Sequence, residues 1–473
     1  MSTSDAATAG LALDRAGLTP LHQQLTAQLR DVILAGRIRP GAKLPASRIL
    51  AEELGVSRIT VTTSMDQLVA EGFAQGVHGR GLFVVPSLPD AALKIPMPDA
   101  GYEVKPLPAK TSRPVPFQPA AHDPKLFPHE EWARLLQKSW SSLQGRDAAI
   151  SSAGFGPLRE AIARHLHDWR GLKCQPAQVF VTAGAADSIQ LIIRTLDLPG
   201  KSVVLEDPGY PLFGHELSGH GARAVPVPVD ASGLNPANLP PAALVITTPS
   251  RHYPTGVTMP LSRRLDLLAW AEAHDAMIAE DDFDSEYRYR GTPLPTLMGQ
   301  AASDRVLYLG SFSKVFSPLI RLGYMVTPSS LVERFEATLE ERGAIASAVA
   351  QPALAQFMSS GRFATHIRRM RRIYASRQEA LVGAVGRHLS AMLTVQREAG
   401  GMHLLAEIAP TLAARMNDEE ISQLARTAGL SLPALSRYCA GPDHRQGLLM
   451  GYSGFDEVEL DAACAKLASV LQA

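Results

Sequence analysis

Nine prolines fall between Pro86 and Pro119, a stretch of 34 residues through which no helix or central strand can run. Each proline fixes its φ and removes a hydrogen-bond donor, so the stretch reads as a semi-extended linker. It divides the 473-residue chain into a small head and a large body, with expected boundaries of 15–85, 86–119 and 120–473. A 46% hydrophobic and 19% charged composition is globular and argues against disorder or coiled coil. Lys+Arg 46 balance Asp+Glu 46, so no global field draws the molecule to a polyanion and any such site is local. Cys174, Cys439 and Cys464 are odd in number and far apart, with no CxxC pair, which points to reduced thiols in a cytosolic setting. There is no signal-peptide pattern and no run approaching ~18 apolar residues, so a cytoplasmic protein without a membrane partner is expected.

In the head, Leu21, Leu25, Leu29, Val32 and Ile33 recur at helical spacing up to Gly36. Ser47 is the expected N-cap of a second helix that reaches Leu54 and stops at Gly55. Ser57 caps a third helix, which carries Val61, Met65, Leu68 and Val69 inward and ends at Gly72. Phe73 to Val85, with glycines at 76, 79 and 81 among β-formers, reads as a hairpin. Three helices and a hairpin make a winged helix-turn-helix, with Gly55-Val56 as the tight turn of a DNA-reading pair. Residues 21–84 hold seven Lys/Arg against five Asp/Glu, a small excess. Arg48 and Arg58 stand at helix N-termini, where backbone N–H groups and a guanidinium can meet a phosphate or a guanine edge together. Thr60 and Thr62 lie on the outward side of the third helix, within reach of bases or phosphates.

In the body, the β-rich runs Val179–Val181, Ser202–Leu205, Leu244–Ile246, Met277–Ile278 and Val306–Leu309 alternate with helical patterns. This alternation predicts an α/β fold with a mostly parallel sheet, whose ligands bind at the strand ends. Five clusters gather there. Ser311-Phe312-Ser313-Lys314, with Arg321 seven residues beyond the lysine, suits a phosphate-bearing aldehyde: the amine bonds to the carbonyl carbon while Ser and Arg grip the phosphate. Glu280-Asp281-Asp282-Phe283-Asp284 in isolation reads as a metal site or a solvated acidic turn; Asp281 is the residue to place beside a pyridine nitrogen, keeping it protonated. Thr182-Ala183-Gly184-Ala185-Ala186 is a turn into a helix whose first amides can cradle phosphate, or a plain strand-to-helix turn. Glu206-Asp207-Pro208-Gly209-Tyr210-Pro211 aims Tyr210 at the same edge, to stack on a flat ring or to pack. Pro249 to Gly256 alone indicates only a stiff loop.

The head resembles the GntR-type winged-helix regulators over residues 20–85, through Leu44-Pro45-Ala46-Ser47-Arg48, Leu54-Gly55-Val56-Ser57-Arg58, Glu71-Gly72 and His78-Gly79-Arg80-Gly81. The resemblance implies Arg48, Arg58, Thr60 and Thr62 at the major groove and His78-Gly79 at the minor groove of double-stranded operator DNA. The order and spacing of the body's clusters, with Gly154-Phe155-Gly156-Pro157-Leu158-Arg159 near its start, resemble a fold-type I aminotransferase from about residue 120 onward. That resemblance implies pyridoxal 5'-phosphate (PLP) bonded to Lys314, with Asp281 at the pyridine nitrogen and Tyr210 on the ring. Ala185, Ala186, Ser311, Ser313 and Arg321 form the implied phosphate cup, and no metal is called for. Head and body together resemble the MocR/GabR family of PLP-dependent transcriptional regulators, which implies a homodimer.

Three departures from the family bear on ligand binding. Phe283 stands where a tyrosine is common; Ser250-Arg251-His252-Tyr253 replaces the usual Ser-His-Gln-aromatic turn; and the strand Leu448 to Tyr452 lacks a carboxylate-binding arginine. Arg437 is the candidate substitute anchor for the effector's acidic group. The expected function is a DNA-binding regulator whose body senses a small amine or amino acid, or PLP itself, through Lys314, rather than turning it over. The rival is an active aminotransferase with an appended DNA-binding head.

Overall fold

The computed structural model describes residues 10–17, 19–88, 114–143, 150–292, 294–441 and 445–472, so most of the proline-rich linker lies outside the described residues. The chain divides into two compact units, Met1–Lys110 and Thr111–Ala473.

In the head, α1 (Leu21–Leu34), α2 (Ser47–Leu54) and α3 (Arg58–Ala70) precede a hairpin of β1 (Ala74–Val77) and β2 (Gly81–Val84). Leu25, Leu29, Ile33, Leu50, Val61, Leu68, Phe73 and Val84 form its core. Each is nearly inaccessible, and burying such a side chain is worth about 1.5–3 kcal/mol. Gly55 ends α2 in the left-handed region (φ 63°), a conformation that costs other residues dearly and makes the turn into α3 tight. Ser57 caps α3, its Oγ accepting from the Thr60 amide at 3.1 Å. Ser47 is not a cap: Ala46 takes that position with extended backbone, and Ser47 is the first helical residue. Val69 does not point inward but is 41% exposed, because the buried stripe of Val61, Met65 and Leu68 already fills the core-facing arc.

The body is built on an eight-stranded sheet of β3 (Val179–Thr182), β4 (Ser202–Asp207), β5 (Arg223–Asp230), β6 (Gly233–Leu234), β7 (Leu244–Thr247), β8 (Met277–Asp282), β9 (Val306–Ser311) and β10 (Gly323–Val326). Their spatial order is β3-β10-β9-β8-β7-β4-β5-β6. Strands β5, β4, β7, β8 and β9 are parallel; the central β7, β8 and β9 are buried on both faces, whereas β5, toward the edge, alternates buried and exposed residues. Strand β10 lies antiparallel between β3 and β9. A second, antiparallel sheet joins β11 (Leu393–Val395), β12 (His403–Ile408) and β13 (Leu448–Gly451). The last linker residues belong to the body: Phe117 is fully buried, and its carbonyl accepts from the Gly451 amide at 2.8 Å. The Phe117 side chain and backbone bonds from Gly451 and Ser431 together seat this segment on the core. Among the described residues no helix is long and apolar enough to cross a membrane.

Candidate functional site

A cavity of about 580 Å³ opens at the C-terminal ends of β8 and β9, and every residue proposed from sequence for the cofactor lines it: Ala185, Ala186, Tyr210, Asp281, Ser311, Ser313, Lys314 and Arg321. They come from segments as far apart in sequence as Ala185 and Arg321.

The strand period explains how the acidic run is sorted. Successive side chains of β8 point to opposite faces, so Asp281 meets the cavity while Asp282 turns to the other side. There Asp282 pairs with Arg170 Nε at 2.9 Å and accepts from the hydroxyls of Tyr308 (2.5 Å) and Ser285 (2.8 Å). Glu280, on the Asp282 face, accepts from the Met298 amide at 3.1 Å. This division leaves no cluster of metal-ligating side chains among the described residues. Asp281 is buried, and no hydrogen bond reaches its carboxylate from the described residues. Burial, reinforced by Asp282, Asp284 and Glu206 and opposed by Lys314, pushes its carboxyl up to about 8. A protonated ring nitrogen is the partner such a group lacks.

Lys314 sits in a single turn, Phe312–Val315, that follows β9; Ser311 begins the turn, its Oγ accepting from the Ser313 amide at 3.2 Å. Burial lowers the lysine's proton affinity while Asp284 and Asp281 raise it, which favours the neutral, nucleophilic amine more than an exposed lysine would. Its carbonyl is held by His122 Nε2 at 2.9 Å, and burial drives that imidazole down to about 4.

The end of the cavity expected from sequence to take the phosphate is a turn. Gly184 has φ 118°, a conformation open essentially to glycine alone, and it delivers the chain into the helix Ala185–Thr195, whose first residues line the cavity. Asp187 steadies the turn by accepting from the Ala183 amide at 2.8 Å and pairing with buried Arg342 at 2.7 Å. Arg321 faces this end from a left-handed backbone (φ 51°), and no ion pair ties up its guanidinium among the described residues. An unpaired guanidinium beside helix amides, an unpartnered acid and a buried lysine are what a phosphorylated pyridine aldehyde requires, so the residues fit PLP.

Tyr210 is 39% exposed and meets Tyr253 edge-on at 5.3 Å, while Phe283 meets Tyr253 at 5.6 Å. The Tyr210 loop is stitched down by Asp207, which accepts from the amides of Ala440 and Gly441, both at 2.9 Å. Tyr253, Gln190, Leu212 and Ile345 also line the cavity without having been assigned from sequence. Gln190 was findable, being one turn beyond Ala186 on the same helix face; nothing local marks Leu212 or Ile345.

Arg437, the anchor expected for the effector's acidic group, is not among the residues that line this cavity. It is half exposed, and its Nε lies 3.5 Å from Glu419. The Leu435–Tyr438 turn sends neighbouring side chains in different directions, so Tyr438 approaches Tyr253 while Arg437 faces away. Arg251 also stays out of the cavity and is buried against Asp284 and Glu398.

On the head, Arg48 and Arg58 are exposed, Arg48 lying 3.3 Å from Glu52. The Thr60 hydroxyl lies 2.8 Å from that of Ser57, and Thr62 donates to the Arg58 carbonyl at 2.8 Å, so each has a local partner. His78 and Gly79 are exposed at the hairpin tip, with Gly79 at φ 71°. Sequence reading passed over Ile59, which is 79% exposed on the first turn of α3; its signal was an apolar residue off the core stripe.

Residues 120–448 match the aminotransferase class I and II family, and residues 21–84 match the gntR family of bacterial regulatory proteins. The chain is 38% identical to the probable rhizopine catabolism regulatory protein MocR of Rhizobium meliloti, over 94% of this chain and 92% of that one. It is 35% identical to the HTH-type pyridoxine biosynthesis transcriptional regulator PdxR of Corynebacterium glutamicum, over 96% of each chain. In fold it is similar to the Pyrococcus horikoshii kynurenine aminotransferase, with TM-score 0.67 and 23% identity over 76% of this chain and 91% of that one.

Proposed function

The chain belongs to the MocR-type transcriptional regulators, which join a gntR head to an aminotransferase class I and II body, and from that premise we propose that its cavity is the sensor. The observation that carries this reading is Lys314 lining one cavity with an unpartnered Asp281 and an unpaired Arg321. PLP bound there supplies an electron-withdrawing ring and a carbonyl carbon that a primary amine can attack. Asp281 keeps the ring nitrogen protonated, Ala185, Ala186, Ser311, Ser313 and Arg321 hold the phosphate, and Tyr210 covers the ring. The ligand proposed is a small primary amine or amino acid, the class of compound that the carbonyl carbon of bound PLP would accept beside Lys314. For DNA binding to respond, that ligand must bind two conformations with different affinity.

The domains proposed are a DNA-binding head at 15–85 and a cofactor and effector body from about residue 114, where Phe117 joins the core. Arg48, Arg58, Thr60 and Thr62 are proposed at the major groove, and His78 and Gly79 at the minor groove. A homodimer is proposed as well: Leu319 is 87% exposed and Ile345 56%, both in segments that reach the cavity rim, and a second copy would cover them. The test is an absorbance titration of the PLP-loaded full chain with amino acids, ω-amino acids and simple amines, paired with operator binding. One of them is expected to shift the spectrum and change DNA affinity without releasing keto product; repeated turnover with a keto-acid acceptor would make the protein an enzyme. The likeness to a pyridoxine biosynthesis regulator favours a second reading, in which PLP itself is the signal and DNA affinity follows PLP occupancy with no amine present.

A further inference from the structure

The loop 249–256 carries two residues, two positions apart, with opposite fates: Tyr253 lines the cavity, and Arg251 is buried outside it. The Arg251 guanidinium is only 7% exposed by residue and reaches three acceptors on separate segments. Its Nη1 donates to Asp284 Oδ2 at 3.1 Å, just past the end of β8. Its Nε donates to Glu398 Oε2 at 2.9 Å, and its Nη2 donates to the His403 carbonyl at 2.8 Å, at the start of β12. The fit is close, since a side chain on Gly401 would strike the guanidinium and one on Gly256 would strike Glu398. A second tie lies beside it, where His403 Nε2 meets the Pro254 carbonyl at 3.0 Å and its ring packs edge-on to Tyr253 at 5.6 Å.

We propose that Arg251 is a positioning residue that couples the cavity wall to the three-stranded C-terminal sheet. It holds the Tyr253 loop against Asp284 on one side and against Glu398 and the His403 carbonyl on the other, so filling the cavity with PLP is felt at β12. Several other bonds already fix the loop's own shape: the Gly256 amide donates to the His252 carbonyl at 2.8 Å and the Tyr253 amide to Thr248 Oγ1 at 3.1 Å. What Arg251 adds to the His403–Pro254 contact is a charged attachment to the different sheet, through Glu398 and the His403 carbonyl. A buried ion pair is a costly way to obtain stability alone, because desolvation offsets much of its attraction. It is an effective way to specify one docked arrangement of two elements.

The experiment is hydrogen exchange on the full chain, cofactor-free and with added PLP. In the wild type, PLP is expected to slow exchange at least fivefold both in residues 251–256 and in residues 403–408. The variant Arg251→Met with Glu398→Gln removes the tie without leaving Glu398 charged and unpaired. Asp284, already pushed up to about 7 by burial, takes a proton. This variant is expected to bind PLP within threefold of wild type and keep the slowing at 251–256, but to slow less than twofold at 403–408. Arg251→Lys, which preserves the charge but not the three-way reach, is expected to fall between, and it carries the same comparison if the double variant does not fold. A purely structural role would speed exchange with and without PLP and leave the PLP-dependent ratio unchanged. That outcome, or wild-type slowing confined to one of the two segments, overturns the proposal.

Discussion

The head keeps its proposed recognition residues on the surface, whereas the body draws Asp281 and Lys314 inside. Arg48, Arg58 and His78 project into solvent from a module whose turns and caps are all local. Asp281 and Lys314 lie inside a cavity whose low polarity changes their proton affinities, and both are placed by strands that meet only in the folded sheet. An exposed guanidinium works by charge and is screened by salt. A buried carboxyl works by being without a partner until the ligand arrives. The two kinds of site therefore fail in different ways when altered.

The sharpest break in this contrast is Lys314→Ala. It is expected to abolish the visible absorption band of covalently held PLP while leaving the thermal stability of the head unchanged; a retained band would assign the covalent bond to another lysine. Next comes Asp281→Asn, which replaces a charged hydrogen bond by a neutral one. At about 1.5–3 kcal/mol, the loss is expected to weaken PLP affinity by roughly 10–150-fold in equilibrium titration. In the head, Arg58→Ala is expected to cost about 1–3 kcal/mol of operator affinity if it reads a base, with relaxed preference at one position. If it meets only phosphate, it instead lowers the salt slope by about one. Gel-shift titrations against operator variants at two salt concentrations separate these.

A pH series sharpens the comparison further. Asp281 and Asp284 stand at about 8 and about 7 in the folded protein, above the ordinary carboxylate value near 3.8. The native state thus binds more protons than the unfolded state between those limits, and stability falls as pH rises through them. The melting temperature of the cofactor-free body is expected to drop from pH 5 to pH 8, and PLP is expected to flatten the slope by giving Asp281 a partner. The smallest effect belongs to Arg437→Ala. With its guanidinium outside the cavity and near Glu419, ligand affinity is expected to change less than twofold. A selective tenfold loss for acidic amines would return Arg437 to the site.

The head was almost wholly legible because its determinants are neighbours in the chain. Leu25, Leu29 and Ile33 announce a helix by spacing alone, and Gly55 announces a turn. The exceptions, Ser47 and Val69, are one-residue matters of helix phase that depend on where packing places the first turn. In the body, the parallel strands showed through as apolar runs, and the motif order pointed to the residues around the cavity. Strand β10 is as short as β3 and β7, but only the brief turns around Lys314 and Pro318 separate it from β9, so no helical pattern sets it apart in the sequence.

What the sequence by itself determined is the class of each unit and the chemical types available at the strand ends, since periodicity and turn residues act over a few positions. Only the tertiary structure decided which neighbour of a pair faces the cavity. Asp281 does and Asp282 does not, and Tyr438 packs against the cavity residue Tyr253 while Arg437 does not. Adjacent side chains differ by half a strand period or a third of a helical turn. The choice between them rests on contacts made with segments as distant in sequence as Arg170 and Glu419.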